Sequence, residues 1–228
     1  MLVCQLCSSE EENSIRGADT RVYHKCNNCS LISADYSHHL SMEQEKERYL
    51  KHINSLEDPN YINFLLNAVN PALPFLNKQM KGLDFGCGPV TAINHILKQH
   101  SISCDSYDPV FPHGTPLPPY DFIFSTEVFE HFFYPRKELK KLSMMLKEEG
   151  FLIIMTEFHP GENHFKDWYY PRDPTHVVFY NLDTFNYICK EFQFQIVFTD
   201  NKRVVILKKK ALIKQPHYAL LKHHLAKF

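Results

Sequence analysis

The sequence predicts an α/β fold built on a largely parallel sheet, preceded by a small cysteine-rich segment. Three observations carry this reading. Leu83-Asp84-Phe85 is an apolar strand that breaks into two glycines one residue apart, Gly86 and Gly88, before a helical segment. Further apolar stretches at Ile102–Asp108, Tyr120–Ser125 and Phe151–Thr156 alternate with helical ones, the pattern of strands joined by crossover helices. At the end, Phe192–Thr199 and Arg203–Lys208 pair antiparallel across the turn Asp200-Asn201-Lys202.

With 228 residues, 44% hydrophobic and 22% charged, the chain can bury one substantial core and a small satellite, which excludes disordered and fibrous classes. The formal net charge of -1 provides no global field to gather nucleic acid or an anionic membrane, so any such contact must be local. No apolar run reaches the roughly eighteen residues of a membrane span. Met1-Leu2-Val3-Cys4 also lacks the basic start of a secretion signal. The expectation is a cytoplasmic protein.

Four of the seven cysteines fall as Cys4-x2-Cys7 and Cys26-x2-Cys29, with eighteen residues between the pairs. Two such knuckles supply four thiolates to one tetrahedral ion, so residues 1–35 are expected to form a zinc ribbon with a closed, structural site. A segment this short folds chiefly on its metal. A redox or disulfide role is the competing use of the same spacing. Cys87, Cys104 and Cys189 occur singly in apolar surroundings and are expected to pack.

Residues 36–78 are expected to form a helical linker or lid. Met42–Ile53 is polar, mixed in charge and helical in composition, and is expected to be a linking helix, not a catalytic segment. Asn60–Leu76 places Ile62, Leu65, Leu66 and Val69 at helical spacing, with interruptions expected at Pro71 and Pro74. The main domain spans 79–210. Its first strand ends at Asp84, and Gly86-Cys87-Gly88 frees the backbone to turn sharply and to approach a ligand at the carboxyl edge of the sheet. A dinucleotide reading needs a third glycine at position 91, which is Thr, and Asp84 would repel a pyrophosphate. Ile93, Ile96 and Leu97 make one apolar face of the following helix.

Asp108 closes the second strand, where an ionised carboxylate can accept from two ribose hydroxyls. From Pro109 to Pro119 the chain carries five prolines and no apolar period. A helix and third strand are therefore expected to be absent there, with Phe111 a candidate for stacking on a base. Tyr120–Ser125 is the next strand, and Thr126-Glu127-Val128-Phe129-Glu130-His131 is expected to start a helix. Ser125, Thr126 and Glu127 lie at the sheet edge. Leu139–Leu146 is expected to continue a helix, ended by a turn at Glu148-Glu149-Gly150. After the apolar strand Phe151–Thr156, the stretch from Glu157 to Val178 is long and rich in aromatic, His and charged residues. Binding and catalytic groups concentrate in such loops. His176 is the candidate general base, with Asp173 expected to orient its ring and His131 as the alternative base.

Asp84 to Gly88 resembles motif I of the class I S-adenosylmethionine (SAM) methyltransferases, with Val90 standing where that family often has a third glycine. Glu127 to His131 resembles the motif after its fourth strand. Trp168 to His176 is similar to a "Trp…Pro-Thr-His" segment found in small bacterial-type members that carry an N-terminal zinc-binding segment. The resemblance spans roughly residues 1–208. It implies a Rossmann-like methyltransferase sheet, abbreviated around strand three, with SAM held by Asp84, Gly86, Cys87, Gly88, Asp108, Phe111, Ser125, Thr126 and Glu127. It also implies structural zinc on Cys4, Cys7, Cys26 and Cys29.

The leading expectation is methyl transfer to oxygen or carbon of a small-molecule acceptor. Two rivals stand beside it: an RNA methyltransferase gripping its substrate with the ribbon and the basic tail 211–228, and a non-catalytic binding module. Pro118-Pro119-Tyr120 precedes its strand, unlike the clamp of adenine amino-methyltransferases, and no Pro-Cys dipeptide supplies the thiol of cytosine C5 enzymes. Nucleic acid is the less favoured partner accordingly.

Overall fold

The computed structural model describes residues 3–10, 12–19, 21–51 and 54–211. The N-terminal segment is an antiparallel meander of β1 (Glu12–Arg16), β2 (Val22–Cys26) and β3 (Ile32–Ala34). Helix α1 (Met42–Tyr49) begins at Ser41, which forms a reciprocal capping box with Gln44. Helix α2 (Pro59–Ala72) begins at Asp58, whose side chain accepts from Asn60 N–H, and places Pro59 in the first turn, where a missing donor is harmless. Pro71 does not interrupt α2 as expected. It lies in the last turn, where one lost hydrogen bond is tolerated, and a 3-10 turn over Leu73–Phe75 ends the segment.

The main sheet is built from β4 (Lys81–Phe85), β5 (Ser103–Tyr107), β6 (Tyr120–Thr126), β7 (Leu146–Met155), β9 (Phe194–Thr199) and β10 (Val204–Lys209). Helices α3 (Ala92–Gln99), α4 (Pro135–Met145), the single turn α5 (Glu162–Phe165) and α6 (Leu182–Glu191) connect them, with the two-residue β8 (Val178–Phe179) set apart. The order is β5-β4-β6-β7-β10-β9. The first four strands are parallel, and β10 runs antiparallel between β7 and β9. Residues 108–119 join β5 to β6 with neither helix nor strand, so the sheet is abbreviated as the five prolines predict.

The centre of the sheet is dry: Leu83, Phe122, Ile123, Phe124, Ile153 and Ile154 are fully buried. Ile93, Ile96 and Leu97 of α3 are also buried, each contributing about 1.5–3 kcal/mol of transfer free energy. This rigid layer fixes the positions of the loops at the carboxyl ends of β4, β5, β6 and β7.

Four local expectations are corrected. Glu148-Glu149-Gly150 is not a turn outside the sheet; β7 runs through it with a shift in its register against β6, and Glu149 adopts a positive φ of 63°. The segment after Thr126 is not a helix but a 3-10 turn over Phe129–His131, entered through Glu127 at φ 54°. The ribbon is not a separate unit. β3 pairs with β8 of the main domain, and Cys4, Leu6, Cys26, Cys29 and Leu31 share one hydrophobic cluster with Leu83, Phe129 and Tyr180. Its stability therefore rests on the common core as well as on any metal. Finally, α1 is not a mere linker, as described below. The expected lysine-rich tail lies outside the described residues beyond Ala211. Among the described residues, no helix is long and apolar enough to cross a membrane.

Candidate active site

The loops at the carboxyl edge of the sheet enclose a cavity of about 850 Å³, a volume that accommodates a cofactor-sized ligand with space beside it. Asp84, Gly86, Cys87 and Gly88 form one wall, Asp108 and Phe111 a second, and Thr126, Glu127, Glu130 and His131 the floor. Tyr170, Asp173 and His176 approach from the long loop, and Glu45, Tyr49, Tyr61 and Phe64 from α1 and α2.

The glycine loop folds as its sequence requires. Gly86 has φ 81°, and a Cβ there would stand 2.4 Å from Val128 Cγ2; Gly88 has φ 64° and faces open space. The N–H groups of Gly86 and Cys87 bond the Tyr107 carbonyl at 2.7 and 3.2 Å, tying the loop to the end of β5. Asp84 is 2% exposed, and its Oδ1 has no hydrogen-bond partner among the described residues. Burial, reinforced by the charge of Asp108, pushes its carboxyl up to about 8.

Asp108 is partly engaged already. Its Oδ2 accepts from Gly88 N–H at 2.9 Å, and its Oδ1 accepts from Val110 and Phe111 N–H at 2.8 and 3.0 Å. A carboxylate has about four acceptor positions, which leaves capacity for one ribose hydroxyl rather than the two expected. Ser125 is a second correction. It is fully buried within the sheet and does not line the cavity, because strand alternation turns it away while Thr126 and Glu127 reach the edge.

His131 and His176 face each other with ring centroids 4.9 Å apart. Nδ1 of His131 lies 2.9 Å from the Thr175 carbonyl, not on Glu127 one turn back, and Nδ1 of His176 lies 2.9 Å from the Tyr170 carbonyl. A carbonyl only accepts, so both rings carry a proton on Nδ1 and leave Nε2 outside that contact. Asp173 therefore does not orient the His176 ring through Nδ1. Its carboxylate accepts instead from Thr175 N–H and Oγ1 and from Arg48 of α1. Burial raises the Asp173 carboxyl, but these bonds outweigh it and hold it below the usual range. Burial also lowers His176 to about 4, so its ring is neutral near pH 7.

The tyrosine Tyr170 joins the two glutamates of the floor. Its hydroxyl lies 2.7 Å from Glu130 Oε1 and 3.1 Å from Glu127 Oε2. Burial, followed by the charge of Glu130, raises the Glu127 carboxyl. Sequence reasoning gives Glu130 no role of its own and reads Tyr170 only as a residue to hold the acceptor; the lid reading covers Tyr61, but the part of Glu45 and Tyr49 in the cover was missed. The lone aromatic Tyr49 of α1 and the pair Tyr61 and Phe64 of α2 were the available signal, but such residues read equally well as core.

Away from the cavity, Cys4, Cys7, Cys26 and Cys29 converge, with all four Sγ atoms within 4.8 Å of one another. Cys4 and Cys29 are 3.5 Å apart and Cys7 and Cys26 3.4 Å, close to the ~3.8 Å edge of a tetrahedron with Zn–S bonds of about 2.3 Å. All four are free thiols. The donor set fits zinc.

The methyltransferase-domain family model matches residues 45–198, two-thirds of the chain, and the chain belongs to that family. Its sheet is that of the class I SAM-dependent methyltransferases. The magnesium protoporphyrin IX methyltransferase of Synechocystis, solved with bound S-adenosylhomocysteine, is 12% identical over 75% of this chain and 95% of its own, with a TM-score of 0.51. A chain from the complex of the Haloferax volcanii Trm112 methyltransferase activator with a methyltransferase is also 12% identical. It covers 67% of this chain and 95% of its own, with a TM-score of 0.52. No curated protein sequence matches the chain. The residues fit SAM: a buried, unpartnered carboxylate oxygen suits its ammonium, the open face of Gly88 leaves room for close approach, and Asp108 retains acceptor capacity.

Proposed function

We propose that this methyltransferase acts on oxygen or carbon of a small molecule, with SAM held by Asp84, Gly86, Cys87, Gly88, Asp108, Phe111, Thr126 and Glu127. The observation that carries the reading is one cavity of about 850 Å³ lined both by Asp84, whose Oδ1 has no partner among the described residues, and by the facing pair His131 and His176. Bound SAM supplies an electrophilic sulfonium methyl for in-line displacement. The protein's task is then alignment, exclusion of water and removal of a proton from the acceptor. His176 carries out that last step in this reading, because its Nδ1–H is fixed on Tyr170 and its Nε2 keeps a lone pair. Asp173 acts as a positioning residue, holding the loop to α1 through Arg48.

The four ribbon cysteines bind one structural zinc in this proposal, and a reducing cytoplasm suits them, since it keeps ligand thiols available. The enclosing aromatic cover of Tyr49, Tyr61 and Phe64 supports a small acceptor over RNA. Incubation with methyl-labelled SAM and fractionated small-molecule extract tests the proposal. The expected result is a labelled low-mass product that requires His176. Label transferred only to RNA would refute the acceptor class.

A further inference from the structure

Glu130, His131 and His176 each bring one potential ligand atom to a common point on the cavity floor, all within 4.8 Å of one another. Both imidazoles donate Nδ1–H to a backbone carbonyl, Thr175 or Tyr170, and this is how metal-binding histidines are held from behind while Nε2 is left to the ion. Nε2 of His131 stands 3.9 Å from Glu130 Oε1, too far for a hydrogen bond.

The carboxylates lead to the same conclusion. Glu130 is fully buried, and its Oε2 has no hydrogen-bond partner among the described residues; the same holds for Glu127 Oε1. Their other oxygens both approach the hydroxyl of Tyr170, which has a single proton to give. Two carboxylates with buried, unpartnered oxygens share one phenolic proton beside two imidazole Nε2 atoms, and Arg203, the guanidinium that also lines the cavity, is already bonded to Glu157 Oε2 at 2.9 Å. Buried anionic oxygens persist when a cation or proton compensates them.

We propose that Glu130, His131 and His176, with Glu127 beside them, bind one divalent cation whose open positions face the cavity and take oxygen from the methyl acceptor. The mixture of imidazole and carboxylate suits first-row ions from Mn2+ to Zn2+ better than Ca2+. This rests on the proposed function for the acceptor and gives His176 a ligand's role in place of the base's. An acceptor hydroxyl held at the cation loses its proton more readily, so the cation takes over the work assigned above to the His176 lone pair. The balance is simple: the hydroxyl oxygen bonds the methyl carbon, the carbon–sulfur bond breaks with its pair left on sulfur, and one proton passes to water.

The test uses the full chain and Mn2+ alone, followed by loss of the free-ion electron paramagnetic resonance signal. Thiolates favour softer ions, so Mn2+ reports the cavity and not the ribbon. Wild type is expected to take up one Mn2+ per chain. His131→Asn and His176→Asn should each weaken uptake by at least about tenfold, and the double variant should abolish it. His95→Asn, exposed on α3, should leave it unchanged. Circular dichroism of each variant confirms folding, and Glu130→Gln adds the carboxylate arm. Absence of uptake by folded wild type at millimolar Mn2+, or uptake preserved in the folded double variant, would overturn the site. Methyl transfer without uptake keeps the enzyme reading and rejects the cation; uptake without transfer to any hydroxyl acceptor does the reverse.

Discussion

Arg48 on α1 reaches Asp173 in the aromatic loop, with Nε at 3.0 Å and Nη2 at 2.7 Å from the same carboxylate oxygen. The two residues are 125 positions apart in sequence, and their contact closes α1 over the cavity. The same helix presents Tyr49 edge-on to His131, with ring centroids 5.3 Å apart. What the sequence presents as a polar connecting helix is thus part of the site's cover.

Arg48→Ala should leave global stability within about 1 kcal/mol of wild type, since the pair is partly solvated. It should raise the acceptor's KM more than it lowers kcat, because the cover loosens while the reacting groups stay in place. Steady-state kinetics with an identified acceptor checks the split, and Arg48→Lys should recover only part of the effect, lacking the planar fork.

Asp84 provides a pH signature. Its folded carboxyl is raised from 3.8 to about 8, so between those values the native state holds a proton that the unfolded state has lost. Stability associated with this group therefore falls as pH rises through that window. Asp84→Asn should flatten the fall and gain stability relative to wild type at the alkaline end. Ligand ammonium favours the carboxylate, so SAM binding below about pH 8 should release a proton. Calorimetry in buffers of different ionisation enthalpy detects it, and identical heats in all buffers would count against the assignment.

The two glycines should respond differently. Gly86→Ala combines a positive φ with a Cβ contact of 2.4 Å to Val128, whereas Gly88→Ala meets no protein atom within 4 Å. Gly88→Ala should cost about 1–2 kcal/mol from its left-handed backbone alone. Gly86→Ala should cost more, and both should weaken S-adenosylhomocysteine binding. Thermal melts with and without the ligand separate the two contributions.

Metal analysis of protein purified without chelator should find one zinc per chain, and Cys26→Ser should lose it. The shared cluster of Cys4, Cys26, Cys29, Leu83, Phe129 and Tyr180 makes this loss felt across the molecule, with a lower melting temperature for the whole domain. A main domain that melts unchanged in Cys26→Ser would contradict that coupling.

The parts of the fold legible in the sequence are those specified by local pattern. The strand, the acid and two glycines at Leu83–Gly88 locate the cavity wall, the prolines at 109–119 announce the missing strand, and the cysteine spacing places four thiols together. What is not legible arises from contacts between distant segments. Ser125 and Thr126 are adjacent in the sequence, and only the pleat of β6 decides which of them reaches the cavity. His131 looks like a helix residue until the 3-10 turn after Glu127 brings it to Thr175, 44 positions on. Asp173 is close to His176 in sequence, but Arg48 and Thr175 take up its carboxylate and the Tyr170 carbonyl takes the ring. The pairing of β3 with β8, which removes the ribbon's independence, has no local signature at all.

The most direct test of the central claim is calorimetric titration of the chain with SAM, comparing wild type with Asp84→Asn. The cavity reading predicts one molecule bound per wild-type chain. A charge-assisted bond is worth about 1.5–3 kcal/mol, so affinity should fall by about tenfold or more in the folded variant. No saturable binding to wild type, or equal affinity in both proteins, would contradict it.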